Sequence, residues 1–131
     1  MGKKLLSIII PCYNEEKTVE TIYVAITDTM DMLPQYDYEI LFVNDGSKDN
    51  TLNKLIGLSE MDVHVKYYSF SRNFGKEAAI YAGLTNARGD YVVTMDADMQ
   101  DPPSLLPQML DILENQGYDS VATRRATRKG E

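Results

Sequence analysis

The run Tyr91-Val92-Val93-Thr94-Met95 leads straight into Asp96-Ala97-Asp98-Met99-Gln100-Asp101-Pro102-Pro103, and this stretch restricts the fold more than any other in the chain. A short apolar run bounded by turn residues is the pattern of a strand buried on both faces, the rule in parallel sheets covered by helices. Asp96 and Asp98 then mark the carboxyl end of that strand. The paired prolines forbid further ladder pairing and pre-set the start of a helix. In open α/β sheets, ligands gather outside the carboxyl ends of the strands. Two carboxylates crowded there repel each other unless positive charge lies between them. A hard divalent cation such as Mg²⁺ or Mn²⁺, shared with substrate phosphates, is the simplest such charge. A solvated acidic loop is the plain alternative, so the rest of the chain decides.

The same strand-to-polar-turn pattern recurs through the 131 residues. Leu5 to Ile10 reads as a first buried strand, ended by Pro11. Between Glu15 and Leu33 the apolar residues Val19, Ile22, Ile26, Met30 and Leu33 step by three or four, which predicts a helix packed on a sheet. Asn14 is placed as its N-cap, and Glu15 and Glu16 suit the positive end of its dipole. A second strand follows over Tyr38 to Val43, then a turn cluster from Asn44 to Asn50 and a short helix carrying Leu52, Leu55 and Ile56. Val63 to Phe70 reads as a third strand. Lys76 to Arg88 reads as a helix capped by Gly89. Tyr91 to Met95 is the fourth strand, Ser104 to Gln116 a helix with Pro107 in its first turn, and Ser120 to Thr123 a fifth strand.

This alternation predicts an α/β, Rossmann-like, doubly wound and mostly parallel sheet with flanking helices and right-handed crossovers, in a single domain over 1–131. One rim then collects Pro11 to Glu15, Asn44 to Asp49, Ser71 to Lys76, Asp96 to Asp101, and Arg124 with Arg125.

Charge narrows what that rim can hold. A net charge of -7 disfavours nucleic acid or an anionic membrane surface as the main partner. The only cysteine, Cys12, allows no intrachain disulfide and fits a reducing, cytoplasmic setting. The longest apolar run is far too short to span a bilayer. No Gly-x-Gly-x-x-Gly follows the first strand and no P-loop occurs, which argues against a dinucleotide coenzyme. The rim instead offers the acceptors Asp45, Asp96, Asp98 and Asp101 and the cations Arg72, Lys76, Arg124 and Arg125. That mixture suits a nucleoside diphosphate: a carboxylate accepts from base or ribose, while metal and arginine neutralise the phosphates.

Each element has a plainer reading. Pro11-Cys-Tyr-Asn-Glu15 stacks a base on Tyr13 or is only a strand-to-helix turn. Asn44-Asp-Gly-Ser47 is a turn type common in any protein. Arg72-Asn-Phe-Gly-Lys76 holds phosphate or is a charged loop before a helix. His64 reads as a strand-surface residue without partners, and Cys12 has no base beside it to make it a nucleophile.

Together, Ile9-Ile-Pro-Cys-Tyr-Asn-Glu-Glu16, Val43-Asn-Asp-Gly-Ser-Lys-Asp-Asn-Thr51, Ser71-Arg-Asn-Phe-Gly-Lys76 and Met95-Asp-Ala-Asp-Met-Gln-Asp-Pro-Pro103 resemble the inverting family 2 glycosyltransferases with the GT-A fold. Within them the chain is similar to the polyprenyl-phosphate sugar transferases, dolichol-phosphate mannosyl and bactoprenol glucosyl, mainly through Gln100-Asp-Pro-Pro103 and Asn73-Phe-Gly-Lys76. The resemblance implies the nucleotide-binding half of a GT-A fold. It implies a metal-dependent hexosyltransferase that moves a sugar, with inversion, from a UDP- or GDP-linked donor to a polyprenyl phosphate or related acceptor, as in cell-wall or polysaccharide biosynthesis.

Residue by residue, the resemblance implies that Pro11, Tyr13, Asn14, Glu15, Val43 and Asp45 hold the nucleoside, with Lys76 and Ala97 in the same nucleotide-binding set. Asp96, Asp98 (the DXD motif) and Gln100 would hold Mg²⁺ or Mn²⁺ and the diphosphate. Arg124 sits where the family places an arginine on the phosphates, so Asp96, Asp98 and Arg124 form the implied catalytic set. A lipid-phosphate acceptor is already anionic near neutral pH, which is consistent with the lack of a clear general base here.

Family members continue past the equivalent of Glu131. The chain is therefore expected to be the N-terminal part of a protein held at the cytoplasmic face of a membrane, binding donor without transferring sugar by itself, with its sheet edge covered by self-association. Three other readings compete. A receiver-like signalling domain wants paired acids where Pro11-Cys-Tyr-Asn14 stands. A nucleotidyltransferase wants a Gly-rich basic loop there, and a non-catalytic nucleotide-sugar-binding module would need no acceptor.

Overall fold

Apart from Ser7, the run from Leu5 to Ile10 has no polar side chain to show to water, so it takes the middle of a sheet. The computed structural model describes residues 3–100, 102–116 and 120–122. Its strands are β1 (Lys4–Cys12), β2 (Tyr36–Asn44), β3 (Val65–Ser69), β4 (Tyr91–Thr94) and β5 (Ser120–Ala122), all paired in parallel in the order β3-β2-β1-β4-β5. The helices are α1 (Val19–Asp31), α2 (Thr51–Met61), α3 (Lys76–Asn86) and α4 (Leu106–Gln116), the last entered through a 3-10 turn at Pro103–Leu105. Pro107 lies in the first turn of α4, where its missing N–H is harmless.

Leu6, Ile8 and Ile10 pack with the apolar stripes of α1, α2 and α4. Full burial of each such side chain contributes about 1.5–3 kcal/mol. The opposite face meets α3 through its small residues. Ala79 is buried, and a Cβ on Gly83 would stand 2.5 Å from Ile9 Cγ2, so only a glycine lets the helix sit this close. Since α1 and α4 share a face while β2 and β5 lie on opposite sides of the β1–β4 pair, the β4–α4–β5 crossover has the opposite hand to the other three. The expectation of uniformly right-handed crossovers is corrected there. The apolar Leu106, Met109, Leu110 and Leu113 of α4 are recruited to the large α1 core instead of the small α3 face.

Other local expectations also change. Pro11 does not end β1, which runs on to Cys12. The Ile9 carbonyl points toward β4, accepting from Met95 N–H at 3.0 Å, and alternation aims Pro11 the same way. The last β1–β4 pair is Ile9 with Thr94, so the N–H that proline lacks had no ladder partner to lose. Asn14 is not a helix cap. It adopts φ 55°, α1 begins at Val19 after Thr18, and Glu20 is the acid in the first turn. Gly89 is not a left-handed cap either. A Cβ there would lie 2.6 Å from Ser7 Oγ, so close approach to β1 is what demands glycine. His64 does have partners: its Nδ1 lies 2.7 Å from Asp62 Oδ1 and its ring stacks on Tyr38 with centroids 4.0 Å apart.

At the end of the sheet away from the rim, Glu39 is a buried carboxylate. It accepts from Ser7 Oγ at 2.6 Å, the Arg88 N–H at 2.8 Å and Lys66 Nζ at 3.1 Å. Burial alone would raise its pKa, but these donors outweigh it and hold Glu39 below the ordinary value of 4.5. Asp62 behaves alike. Its burial is overcome by donors from Tyr23 and His64, and its pKa falls below 3.8. A depressed folded-state pKa means that the stability is fully present above the unfolded value and is lost as pH falls through the folded one. Thermal melts from pH 7 to 3 should therefore hold level at first and drop only below about pH 4.5. A melting temperature that declines between pH 7 and 5 would contradict this assignment.

Among the described residues, no helix is long and apolar enough to cross a membrane.

Candidate functional site

Parallel strands deliver all their carboxyl ends to one rim, and the loops there carry unusual backbone. The positive-φ positions among the described residues are Asn14, Gly46, Gly75 and Met99, and all four lie on this rim. Such conformations persist only where surrounding contacts over-determine them.

The contacts are visible. Asn14 donates its N–H to Ser47 Oγ at 2.9 Å and accepts the Lys48 N–H at 2.8 Å, clasping the β1–α1 loop to the β2–α2 loop. The Glu15 N–H donates to Thr51 Oγ1 at 2.9 Å, and the Glu16 carboxylate accepts the Asn50 N–H at 2.7 Å.

Between these loops opens a cleft of about 520 Å³. Pro11, Cys12, Tyr13 and Glu15 line it from the end of β1, and Asp45 from the end of β2. Asn73, Gly75 and Lys76 line it from the entry to α3, and Asp96, Ala97, Asp98 and Gln100 from the end of β4. Most of the residues singled out in the sequence thus meet in one place. Val43 does not line the cleft, because it is fully buried inside β2. Asn14 faces the adjoining hollow with Glu16, Lys17 and Thr18. Arg124, Arg125 and Asp101 lie outside the described residues.

Asp45 is 3% exposed, and its carboxylate accepts from Asn73 Nδ2 at 2.9 Å and from the N–H groups of Phe74 at 2.7 Å and Gly75 at 3.0 Å. Lys76 Nζ donates to Asp96 Oδ1 at 2.5 Å. Asp98 accepts from the Gln100 N–H at 3.1 Å and from Gln100 Nε2 at 3.0 Å. Burial raises the pKa of the Cys12 thiol, and the nearby charges of Glu15 and Asp49 push it the same way. Its nucleophilic thiolate is therefore unavailable near neutral pH.

No group of three or more His, Cys, Asp or Glu side chains placed to hold a metal occurs among the described residues. The donors still fit a hard cation in kind. Asp96 and Asp98 supply carboxylate oxygens and Gln100 an amide oxygen at the mouth of a cleft that also holds a lysine. The Lys76 ammonium on Asp96 shows that this carboxylate already draws a positive charge.

Sequence reasoning did not single out Asn73, Gly75 or Cys12 as individual site residues. For Asn73 the available signal was weak: one amide in a charged loop, whose partner Asp45 lies 28 residues away.

The profile of the family described as Glycosyl transferase family 2 matches residues 7–131. CsbB of Bacillus subtilis (strain 168), which bears a glycosyltransferase name, is 47% identical over 131 residues, 100% of this chain and 39% of its own length. The bactoprenol glucosyl transferase of Shigella phage SfV is 39% identical over 123 residues, 94% of this chain and 39% of its own. The mannosyltransferase PcManGT from Pyrobaculum calidifontis, solved in complex with GDP-Man and Mn²⁺, superposes with a TM-score of 0.73 at 23% identity, covering 86% of this chain and 33% of that one. The chain thus spans about 39% of the length of these curated relatives.

Proposed function

The chain belongs to glycosyl transferase family 2, and from that premise we propose that its rim cleft binds a nucleotide-diphosphate sugar and a divalent cation, for inverting transfer of the sugar to a polyprenyl phosphate. The observation that carries this reading is the cleft itself. One volume of about 520 Å³ is lined both by Pro11, Tyr13 and Asp45, suited to a nucleoside, and by Lys76, Asp96 and Asp98, suited to a metal-bound diphosphate. Tyr13, 42% exposed, offers a ring on which a base stacks. Lys76 stands at the first position of α3, where the helix dipole also favours an anion. Arg124 is assigned to the same phosphates.

Asp96 and Asp98, with Gln100, would hold Mg²⁺ or Mn²⁺, which would offset the charge that builds on the departing diphosphate. Among the described residues the cleft carboxylates are Glu15, Asp45, Asp96 and Asp98, and a phosphate monoester, already anionic near neutral pH, would ask none of them to act as a general base. The bactoprenol glucosyl transferase relatives support a lipid-phosphate acceptor, and an acceptor of that kind is met at a membrane surface.

Calorimetric titration of the purified chain with UDP and with GDP, each with and without Mn²⁺, tests the reading. Metal-dependent binding of one of the two is expected. Binding of neither, or binding indifferent to metal, would overturn it.

A further inference from the structure

Asp96 carries a cation supplied by the chain itself. Lys76 Nζ donates to its Oδ1 at 2.5 Å, from a position 20 residues earlier in the sequence. Both partners stand on backbone that other contacts fix. Asp96 follows Met95, whose N–H donates to the Ile9 carbonyl of β1 at 3.0 Å, and its own carbonyl accepts the Met99 N–H at 3.2 Å. Lys76 opens α3 directly after Gly75, which turns the chain with φ 107°. A cation at the first position of a helix opposes the dipole, so this ammonium is driven toward an anion. The two side chains are unequally confined: that of Asp96 is 19% exposed and that of Lys76 51%. The carboxylate stays where it is, while the long lysine stem can swing its head away. Asp98 is held differently, by the neutral Gln100 N–H and Nε2 within one turn.

We propose that Lys76 is a built-in counter-ion guarding the metal site: its ammonium must leave Asp96 before a divalent cation is seated there, and the bound nucleotide gives it another anion to turn to. This rests on the donor-site reading above. An ammonium and a divalent cation on one carboxylate repel each other, and at so short a range the repulsion is large. Metal alone is therefore bound weakly. The nucleotide relieves the repulsion by drawing Lys76 off, so it strengthens metal binding, and by linkage the metal strengthens nucleotide binding by the same factor.

Calorimetric titration with MnCl₂ and no nucleotide is the first test. K76M and K76Q should each bind Mn²⁺ about tenfold more tightly than the wild-type chain, and K76R, which keeps the charge, should match the wild type. Lys76 is half-exposed, so these variants should keep the wild-type fold. Unchanged or weaker Mn²⁺ binding in K76M and K76Q would overturn the proposal, because Lys76 would then support the site and not compete for it. No Mn²⁺ binding by any of the chains would overturn it as well. D98A placed in the K76M background should abolish the gain. A gain that survives there belongs to some other site and ends the proposal.

The second test repeats the titration with saturating UDP or GDP, whichever binds. The nucleotide should raise the wild-type affinity for Mn²⁺ about tenfold more than it raises that of K76M. An equal gain in both would mean that metal and nucleotide couple without Lys76, and the proposal would fail while the donor-site reading stood. If the wild-type chain binds neither nucleotide, the donor-site reading falls. The nucleotide-free comparison then still decides whether Lys76 and the metal compete for Asp96.

Discussion

Replacing Asp98 with alanine should remove the metal-dependent part of nucleotide affinity, a loss on the order of 100-fold, while the fold stays intact. The separation of the two effects follows from where Asp98 sits. It is exposed, and the donors recorded on its carboxylate both come from Gln100, two residues along the same turn. It ties no strand to another, so its loss should shift stability by no more than about 0.5 kcal/mol. Asp96 offers no such clean test, because it is partly buried and bonded to Lys76 across the cleft. The measurement is the same titration, with and without Mn²⁺, accompanied by a thermal melt. Affinity measured without metal should be unchanged in D98A. If it falls as far as the affinity with metal, Asp98 acts by shaping the turn, and its role as a metal ligand is refuted.

The largest expected effect on stability is at the opposite end of the sheet. Glu39→Ala should cost about 3–5 kcal/mol, enough to lower the melting temperature of a domain this size by roughly 10–20 °C. Glu39 Oε2 takes both the fully buried Ser7 hydroxyl and the Arg88 N–H, a part-buried bond. Removing the acceptor strands both and leaves a hole between β1, β2 and the α3–β4 connection. The Lys66 end matters less, because that side chain is 41% exposed and can turn to solvent. Glu39→Gln separates these contributions. An amide oxygen in place of Oε2 keeps Ser7 and Arg88 satisfied, so only the half-exposed ion pair is lost, at about 1 kcal/mol or less. The same variant should also flatten the acid limb of the stability curve, since the carboxylate whose protonation costs stability is gone. Equal destabilisation by alanine and glutamine would mean that the ion pair, not the hydrogen-bonded pair of donors, holds this corner.

Much of the fold could be read from the chain before any coordinates. The apolar runs at Leu5–Ile10, Tyr38–Val43 and Tyr91–Met95 have no polar face, so they require burial on both sides, and only a helix-covered parallel sheet provides it. Once the strands are parallel, their carboxyl ends share a rim, and the polar turns that follow them must meet there. Pro11, Tyr13, Glu15, Asp45, Lys76, Asp96, Ala97, Asp98 and Gln100 do line one cleft for that reason.

Local rules failed where a residue's partner lies far along the chain. Asn14 has the composition of a cap, yet it is spent on Ser47 and Lys48, more than thirty residues away. Gly89 looks like a helix stop but answers to Ser7. Pro11 looks like a strand end, and whether it can stay in β1 depended on how far β4 reaches beside it. His64 and Tyr38 became a stacked pair only because β2 and β3 pair in one particular register.

The apolar runs alone dictate a parallel sheet and the rim that bears the polar turns, because the need to bury such a run does not depend on its partners. Only the packed fold set where each rim residue's bonds go: Asp45 accepts from the 72–75 loop, Lys76 donates to Asp96, and Val43 lies in the core. Those roles depend on distances of a few ångströms between loops that strand register and close glycine contacts bring together, and no local stretch of residues encodes them.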